Sequence, residues 1–133
     1  MWSGLLALAA AAPLVVGAWL TPNSVGHGTH TQLGLPPCGW VVAFGRPCPT
    51  CGMTTAFTHA AHGRLDLAFV AQPAGTVLAV LAAGLFWVGL HTMVTGSRAA
   101  PMLVAGLRGR HAVGLVLVIL AGWGVTIMTF RPA

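Results

Sequence analysis

The sequence predicts an all-α membrane protein with three transmembrane helices and a short amphipathic helix, interfacial or re-entrant, in the first loop. Of its 133 residues, 56% are hydrophobic and only 5% are charged, too few to cover a water-soluble surface. Three apolar stretches approach the ~20 residues needed to cross a ~30 Å hydrocarbon core. They are residues 2–20, 74–94 and 112–130. Since open sheet edges are not tolerated in lipid, we expect three helices in a single membrane domain, residues 1–133.

The first stretch contains Pro13, which is expected to kink a helix that neighbouring helices can still accommodate. The small residues 9–12 also offer cleavage sites of the kind found in signal peptides. No Lys or Arg precedes the stretch, however, whereas a signal peptide has a basic segment ahead of its apolar core. We therefore interpret residues 2–20 as a retained span.

The charged residues indicate a membrane topology. All six basic side chains apart from histidine are arginines, Asp66 is the sole acid, and the formal charge is +5. The arginines are scattered between spans, with no aromatic-interleaved basic face, so a nucleic-acid partner is not expected. Three of them crowd the short linker between the second and third spans, namely Arg98, Arg108 and Arg110. Short Arg-rich loops stay in the cytoplasm, which predicts an amino terminus inside and the first loop outside.

The reactive side chains exclude most enzyme chemistries. One Asp and no Glu leave neither a carboxylate pair for acid/base work nor an oxygen cage for calcium or magnesium. The absence of Lys excludes Schiff-base and Walker-type phosphate chemistry, and no serine lies in a Gly-x-Ser-x-Gly elbow. Cys, His and Arg remain, so an independent enzyme is not favoured and no small-molecule substrate is identified.

The loop between the first two spans, residues 21–73, holds all three cysteines and four of the six histidines. Its first part is rich in Gly and Pro, which predicts extended or turning backbone around His27 and His30. A short apolar run at residues 39–45 includes Trp40 and is too short to span the bilayer. We expect this run to enter the interface or to pack on the helix bundle.

A helix is predicted directly after Cys48-Pro49-Thr50-Cys51-Gly52. Apolar residues recur there at three- and four-residue steps, and the other side carries Thr55, Thr58, His59 and His62. This pattern predicts an amphipathic helix that lies flat. Thr50 is the expected N-cap, with Cys51 as the alternative start, Gly63 is placed to end the helix, and Asp66 is placed to cap a further short turn.

Residues 38–73 resemble the signature of the bacterial membrane-protein family catalogued as domain of unknown function 2752. That signature is a lone Cys, about ten residues, then Cys-Pro-x-Cys-Gly-x-Thr-Arg-Ala, a Gly, and an Asn-Pro that opens a span. Here Cys38 is followed by Cys48 to Ala56, Gly63 and Gln72-Pro73, with Thr55 in place of Arg and Gln72 in place of Asn. The resemblance implies a helical protein of the bacterial cytoplasmic (inner) membrane, and it implies no reaction.

The cysteine spacing favours a metal site. Cys38, Cys48 and Cys51 supply three soft ligands, and two intervening residues are the usual way to place two thiolates on one ion. A fourth ligand could come from the preceding loop, but His59 and His62 rank first because they share one helix face. We predict a Cys3His site for zinc or another soft metal ion in an accessory or scaffold protein that docks on a larger membrane-protein complex.

Two alternatives remain open. The Cys48/Cys51 pair resembles a glutaredoxin-like dithiol, with Cys38 as resolving thiol, which would make the chain a membrane thiol-disulfide oxidoreductase. The βαβ context that accompanies such a dithiol is not predicted here. Alternatively, a disulfide from Cys38 to Cys48 or Cys51 would be a structural staple of the loop.

Overall fold

A computed structural model describes residues 2–97, 102, 106 and 110–130 of the chain. Every regular element within these residues is helical, which confirms the all-α prediction. The elements in chain order are α1 Trp2–Trp19, a 3-10 turn Thr29–Leu33, α2 Gly39–Phe44, α3 Met53–Ala61, α4 Leu65–Ala71, α5 Pro73–Thr95 and α6 Arg110–Thr129.

Two helices have the length and composition of membrane spans, Pro73–Thr95 in α5 and His111–Thr129 in α6. Their outward faces are apolar: Trp87 is 66% exposed and Leu117 60%. Helix α1 is apolar and runs continuously through Pro13, but its Ser3–Trp19 segment is shorter, so the third span remains a prediction. Arg98, Arg108 and Arg131, which bear on the predicted orientation, lie outside the described residues.

The three long helices alternate in direction, and small residues let them approach closely. A Cβ on Gly89 of α5 would lie 3.0 Å from the Cβ of Ala7, near the start of α1. A Cβ on Gly122, near the end of α6, would lie 2.8 Å from the Cβ of Ala74, at the start of α5. Gly89 and Gly122 thus serve helix packing. They also gather the end of α1, the start of α5 and the end of α6 at one end of the bundle.

The loop between α1 and α5 is built on this end. Helix α3 packs against α1, α4 and α5, and the side chains of Thr55 and Thr58 are fully buried. The expectation that these two threonines belong to an outward polar face of a flat helix is therefore wrong. A Cβ on Gly17 of α1 would lie 3.0 Å from the carbonyl oxygen of Phe57, so α1 and α3 are in backbone contact and only small side chains fit between them.

The ends of the short helices differ in part from the prediction. Helix α3 begins after Gly52, whose left-handed φ of 84° supplies the N-cap without a side-chain bond, so neither Thr50 nor Cys51 caps it. Gly63 follows the C-cap of α3 with a left-handed φ of 75°, as expected of a glycine that ends a helix. Asp66 lies in the first turn of α4, where a carboxylate interacts favourably with the positive end of the helix dipole. It does not cap the helix, because the N-cap residue is Arg64.

Candidate thiol site

The three cysteines line one cavity, which we call the cysteine cavity. Its volume is about 320 Å³, and it opens at the side of the loop region. Cys38 comes from the segment before α2, whereas Cys48 and Cys51 come from the turn before α3. His30, from the 3-10 turn, lines the same cavity. All three cysteines are free, with Cys38 and Cys48 partly exposed and Cys51 buried.

The turn that carries Cys48 and Cys51 is closed by its own backbone. The amide of Cys51 donates to the carbonyl of Cys48 at 3.0 Å, and the amide of Met53 donates to the carbonyl of Thr50 at 3.1 Å. Gly52 ends the turn at a position where a Cβ would lie 2.8 Å from the carbonyl oxygen of Ala71. Positive φ and this close approach both require glycine. The Cys-Pro-Thr-Cys-Gly sequence thus places both thiols at the start of α3.

Cys38 is held at the start of α2, after the Pro36-Pro37 pair. Burial disfavours its thiolate, but backbone bonds from Val41, Trp40 and Cys48 and a bond with the Cys48 thiol together outweigh burial and lower the pKa of Cys38. Amide groups directed at a sulfur favour the thiolate, which is the form that attacks disulfides and binds metals.

The three thiols affect one another's ionisation. The Cys48 thiol helps to lower the pKa of Cys38, whereas Cys38 helps to raise the pKa of Cys51. Burial, together with the negative charges that Cys38 and Cys48 would carry, raises the pKa of Cys51 to about 11. Cys48 Sγ lies 3.3 Å from the hydroxyl of Thr50. The site therefore combines a thiol whose pKa is below its ordinary value, Cys38, with a buried thiol whose pKa is above it, Cys51.

The predicted ligand set is only partly brought together. Within residues 2–97 and 110–130, no three Cys, His, Asp or Glu side chains stand in a ready metal-binding arrangement, so an ion would have to draw the thiols inward. His59 and His62 do not line the cysteine cavity. His62 is exposed, and its Nδ1 lies 2.7 Å from the carbonyl oxygen of Thr58.

A second cavity of about 440 Å³, the His59 cavity, lies on the other side of Cys51. His59 lines it together with His27, whose ring stacks on Phe130 at 4.8 Å. His59 Nδ1 is buried without a hydrogen-bond partner. Burial, followed by the nearby charge of Arg64, lowers the pKa of His59, so its ring is neutral at pH 7. Cys51 lines both cavities.

Several supporting residues were not predicted from the sequence. Gln72 is fully buried, its side-chain oxygen accepts the amide of Gly75 at the start of α5, and its Nε2 donates to the carbonyl of Pro49 at 3.4 Å. The indole of Trp123 in α6 donates to the carbonyl of Pro47 at 3.1 Å. The buried hydroxyls of Thr29 and Thr55 join the 3-10 turn to α3. Of these roles, only the capping by Gln72 had a signal in the sequence, because a glutamine directly before Pro73 can reach the first amides of the helix. The bonds of Trp123 and of the two threonines had none.

Comparison with known proteins supports the family resemblance. The family described as "Protein of unknown function (DUF2752)" matches residues 38–87, which contain all three cysteines, α2, α3, α4 and the first two thirds of α5. No curated protein and no solved structure gives a significant match. The two positions that depart from the usual signature, Thr55 and Gln72, are both fully buried beside the thiols. The resemblance seen in the cysteine motif is confirmed, because the segment 38–87 matches the model of the family of proteins of unknown function DUF2752.

Proposed function

We propose that this chain is a small accessory protein of the bacterial cytoplasmic membrane whose three cysteines bind one zinc-like soft metal ion. The observation that carries the proposal is the convergence of Cys38 with Cys48 and Cys51, from two separate segments, on one cavity. Tetrahedral sites of soft ions are commonly built from such a thiol pair two residues apart plus donors from elsewhere. The bound ion would steady the loop that docks on a larger membrane-protein complex.

The composition of the loop supports a structural ion. Apart from small or polar residues such as Ala56, Ala68, Thr29 and Gln72, few side chains of residues 21–72 are buried, so the loop has little apolar core of its own. A metal that binds only the folded loop adds its binding free energy to folding. The amides around Cys38 would favour the thiolate that such an ion needs.

Elemental analysis of the detergent-purified full chain, with a count of free thiols, tests the proposal. We expect about one equivalent of metal per chain. The metal should be lost in Cys48→Ser, whereas Thr54→Ser, which changes a non-thiol residue of the same cavity wall, should keep it. Metal-free wild-type protein that folds normally and takes up no zinc or copper would overturn the proposal.

Three spans, an inner amino terminus and an outer cysteine loop complete the proposed topology. The alternating directions of α1, α5 and α6 support it, because a chain that crosses three times must alternate. A maleimide that cannot cross membranes tests it on whole cells treated with an external chelator. Cys38 and Cys48 should be labelled in intact cells. Labelling that occurs only after the membrane is breached would contradict the orientation.

A second candidate function is thiol-disulfide exchange, favoured by the three thiols that line one cavity and by the lowered pKa of Cys38. The motif alone assigned the dithiol to Cys48 and Cys51 with Cys38 as resolving thiol, but the lowered pKa of Cys38 favours Cys38 as the attacking group. The Cys38 thiolate would attack a disulfide of a substrate protein, breaking its S–S bond and releasing one sulfur as a thiolate. Cys48 would then attack Cys38 and release the second substrate sulfur. The substrate gains two electrons and two protons, and a Cys38–Cys48 disulfide remains in this chain.

The two functions give different results in one experiment. With Cys48→Ser, exchange predicts that a mixed disulfide between Cys38 and the substrate accumulates, because the second attack is lost. Cys51→Ser serves as the matched variant, since the mixed disulfide should still resolve there. No mixed disulfide in Cys48→Ser, and no change in thiol state across glutathione buffers, would eliminate the exchange function.

A further inference from the structure

His30 is the one histidine among the described residues that lines the cysteine cavity. We propose that His30, through Nδ1, is the fourth ligand of the metal site and completes a Cys3His set with Cys38, Cys48 and Cys51. This inference rests on the proposed metal-binding function and names its ligand. It replaces His59 and His62, which the helical pattern of the sequence ranked first.

The hydrogen bond of the His30 ring fixes which nitrogen is available. Nε2 of His30 lies 3.2 Å from the carbonyl oxygen of Pro36. A carbonyl oxygen only accepts, so Nε2 carries a proton, and in the neutral ring that a metal ligand requires the lone pair is on Nδ1. Histidine ligands of metals generally donate their other ring N–H to a carbonyl or carboxylate, which orients the ring. Pro36 lies two residues before Cys38, so the bond also joins the His30 ring to the segment that carries the Cys38 thiol.

The backbone under His30 is held in place from several sides. The 3-10 turn begins and ends at glycines with left-handed φ, Gly28 at 84° and Gly34 at 77°. The neighbouring residue Thr29 is fully buried, and its hydroxyl lies 2.7 Å from that of Thr55 in α3, the helix that follows Cys51. The Gln32 side chain both donates to and accepts from the backbone of Thr21. A ligand on this turn is thus anchored to the element that carries the thiols.

The other histidines of the loop are less suited to the cysteine cavity. His62 has a free Nε2, because Nδ1 faces the carbonyl of Thr58, but the ring is on the exposed side of the α3 end and outside the cavity lining. His59 and His27 line the His59 cavity, whose lining includes Cys51 but not Cys38 or Cys48. His59 is therefore the strongest competitor and the best matched control, since it lines a cavity with Cys51 and is neutral at pH 7.

The four proposed ligands line one cavity, but they must move closer together to bind an ion. Zinc requires sulfur at about 2.3 Å and nitrogen at about 2.0–2.1 Å. Cys38, Cys48, Cys51 and His30 line the same cavity but are not yet at such distances. Binding as proposed therefore includes a movement of these four side chains toward the bound ion.

Binding of zinc and cobalt(II) to the full chain in detergent tests the assignment. His30→Gln should weaken zinc affinity by at least ~10-fold, since even the loss of an outer hydrogen-bond partner of a ligand costs ~10–100-fold. His59→Gln and His62→Gln should bind zinc as wild type does. His30→Cys should restore binding, and its cobalt(II) form should gain thiolate-to-metal charge-transfer absorption. Circular dichroism of each variant checks that the helices are intact.

The outcomes separate the inference from the function on which it rests. Wild-type protein without metal affinity would overturn both. Wild-type binding that His30→Gln leaves intact would overturn the inference alone, and a loss in His59→Gln or His62→Gln would identify the true fourth ligand. Failure of His30→Cys to restore affinity, in protein of normal helix content, would also count against a ligand role for residue 30.

Discussion

The hydroxyls of Thr29 and Thr55 lie 2.7 Å apart, and neither side chain is exposed to solvent. This bond joins the 3-10 turn that carries His30 to the helix that follows Cys51. Thr55 occupies the position at which the family signature has Arg, so in this chain a buried pair of short hydroxyls stands where a long cation is usual. The thiol site is thus supported by polar contacts from two distant parts of the loop.

Removal of one hydroxyl of this pair should destabilise the protein. Thr55→Val keeps the shape but removes the bond between the two hydroxyls, at an expected cost of ~1–3 kcal/mol in the free energy of unfolding; the Thr29 hydroxyl still accepts the amide of Asn23 at 3.1 Å. Thr29→Val/Thr55→Val should cost less than the sum of the single variants, because each single variant already loses the shared bond. Unfolding in detergent measures all three, and strictly additive effects would contradict the coupling.

Gln72 should link the start of α5 to the cysteine turn. Gln72→Ala removes the N-cap and the bond to Pro49, and should cost at least ~1 kcal/mol in stability and increase the alkylation rate of Cys51. Gln72→Asn should recover the cap but not the bond to Pro49, because its amide is one methylene shorter. Equal alkylation of Cys51 in wild type and Gln72→Ala would argue against this link.

Gly52 should tolerate no side chain. Its φ is 84°, and a Cβ would lie 2.8 Å from the carbonyl oxygen of Ala71 and 2.9 Å from that of Gly26. Gly34 is the matched control, since its φ is 77° and a Cβ there meets no atom within 4 Å. Gly34→Ala should cost ~1–2 kcal/mol for the left-handed backbone alone. Gly52→Ala should cost clearly more, and equal costs would refute the close packing.

Gly122 and Gly124 provide a second matched pair, in α6. A Cβ on Gly122 would lie 3.0 Å from the amide nitrogen of Ala74, whereas a Cβ on Gly124 meets nothing within 4 Å. Gly122→Ala should separate α6 from α5 and cost ~1–3 kcal/mol in the free energy of unfolding. Gly124→Ala should be neutral or stabilise by up to ~1 kcal/mol through helix propensity. The reverse order would mean that α6 packs on α5 through another face.

The metal-free thiols should differ in their pH dependence. The pKa of Cys38 is lowered and that of Cys51 is raised from 9.0 to about 11, so maleimide should modify Cys38 first and Cys51 last at pH 8. Because unfolded Cys51 loses its proton more readily, folding stability should fall as the pH rises from 9.0 to about 11. Cys51→Ala should flatten that fall. Mass spectrometry of the modified protein, with unfolding curves, checks both trends.

The positions of the helices follow from local signals in the sequence. Uninterrupted apolar stretches at 74–94 and 112–130 became α5 and α6 within two residues, because chain length and hydropathy are properties of a segment alone. Gly63 and the Gln72-Pro73 pair marked helix ends for the same reason. The family resemblance also needed only sequence, since the cysteine motif and its spacing are specific.

Contacts between distant segments were beyond these local signals. A three- and four-residue period in α3 shows that two faces differ, but not which face is inside. The sequence placed Thr55 and Thr58 outward because they are polar. They are inward because the backbones of α1 and α3 touch at Gly17 and Phe57, where only small side chains fit.

The sequence by itself thus determined a helical, lipid-compatible chain with one loop of cysteines and histidines, because composition and spacing are written residue by residue. The tertiary structure decided which histidine lines the cavity of the three thiols. His30 is eight residues before Cys38 and has no helical spacing to it, yet the turn on which it lies is bound to α3 through Thr29 and Thr55. Such proximity arises from the packing of the loop on the bundle end and leaves no periodic trace in the sequence.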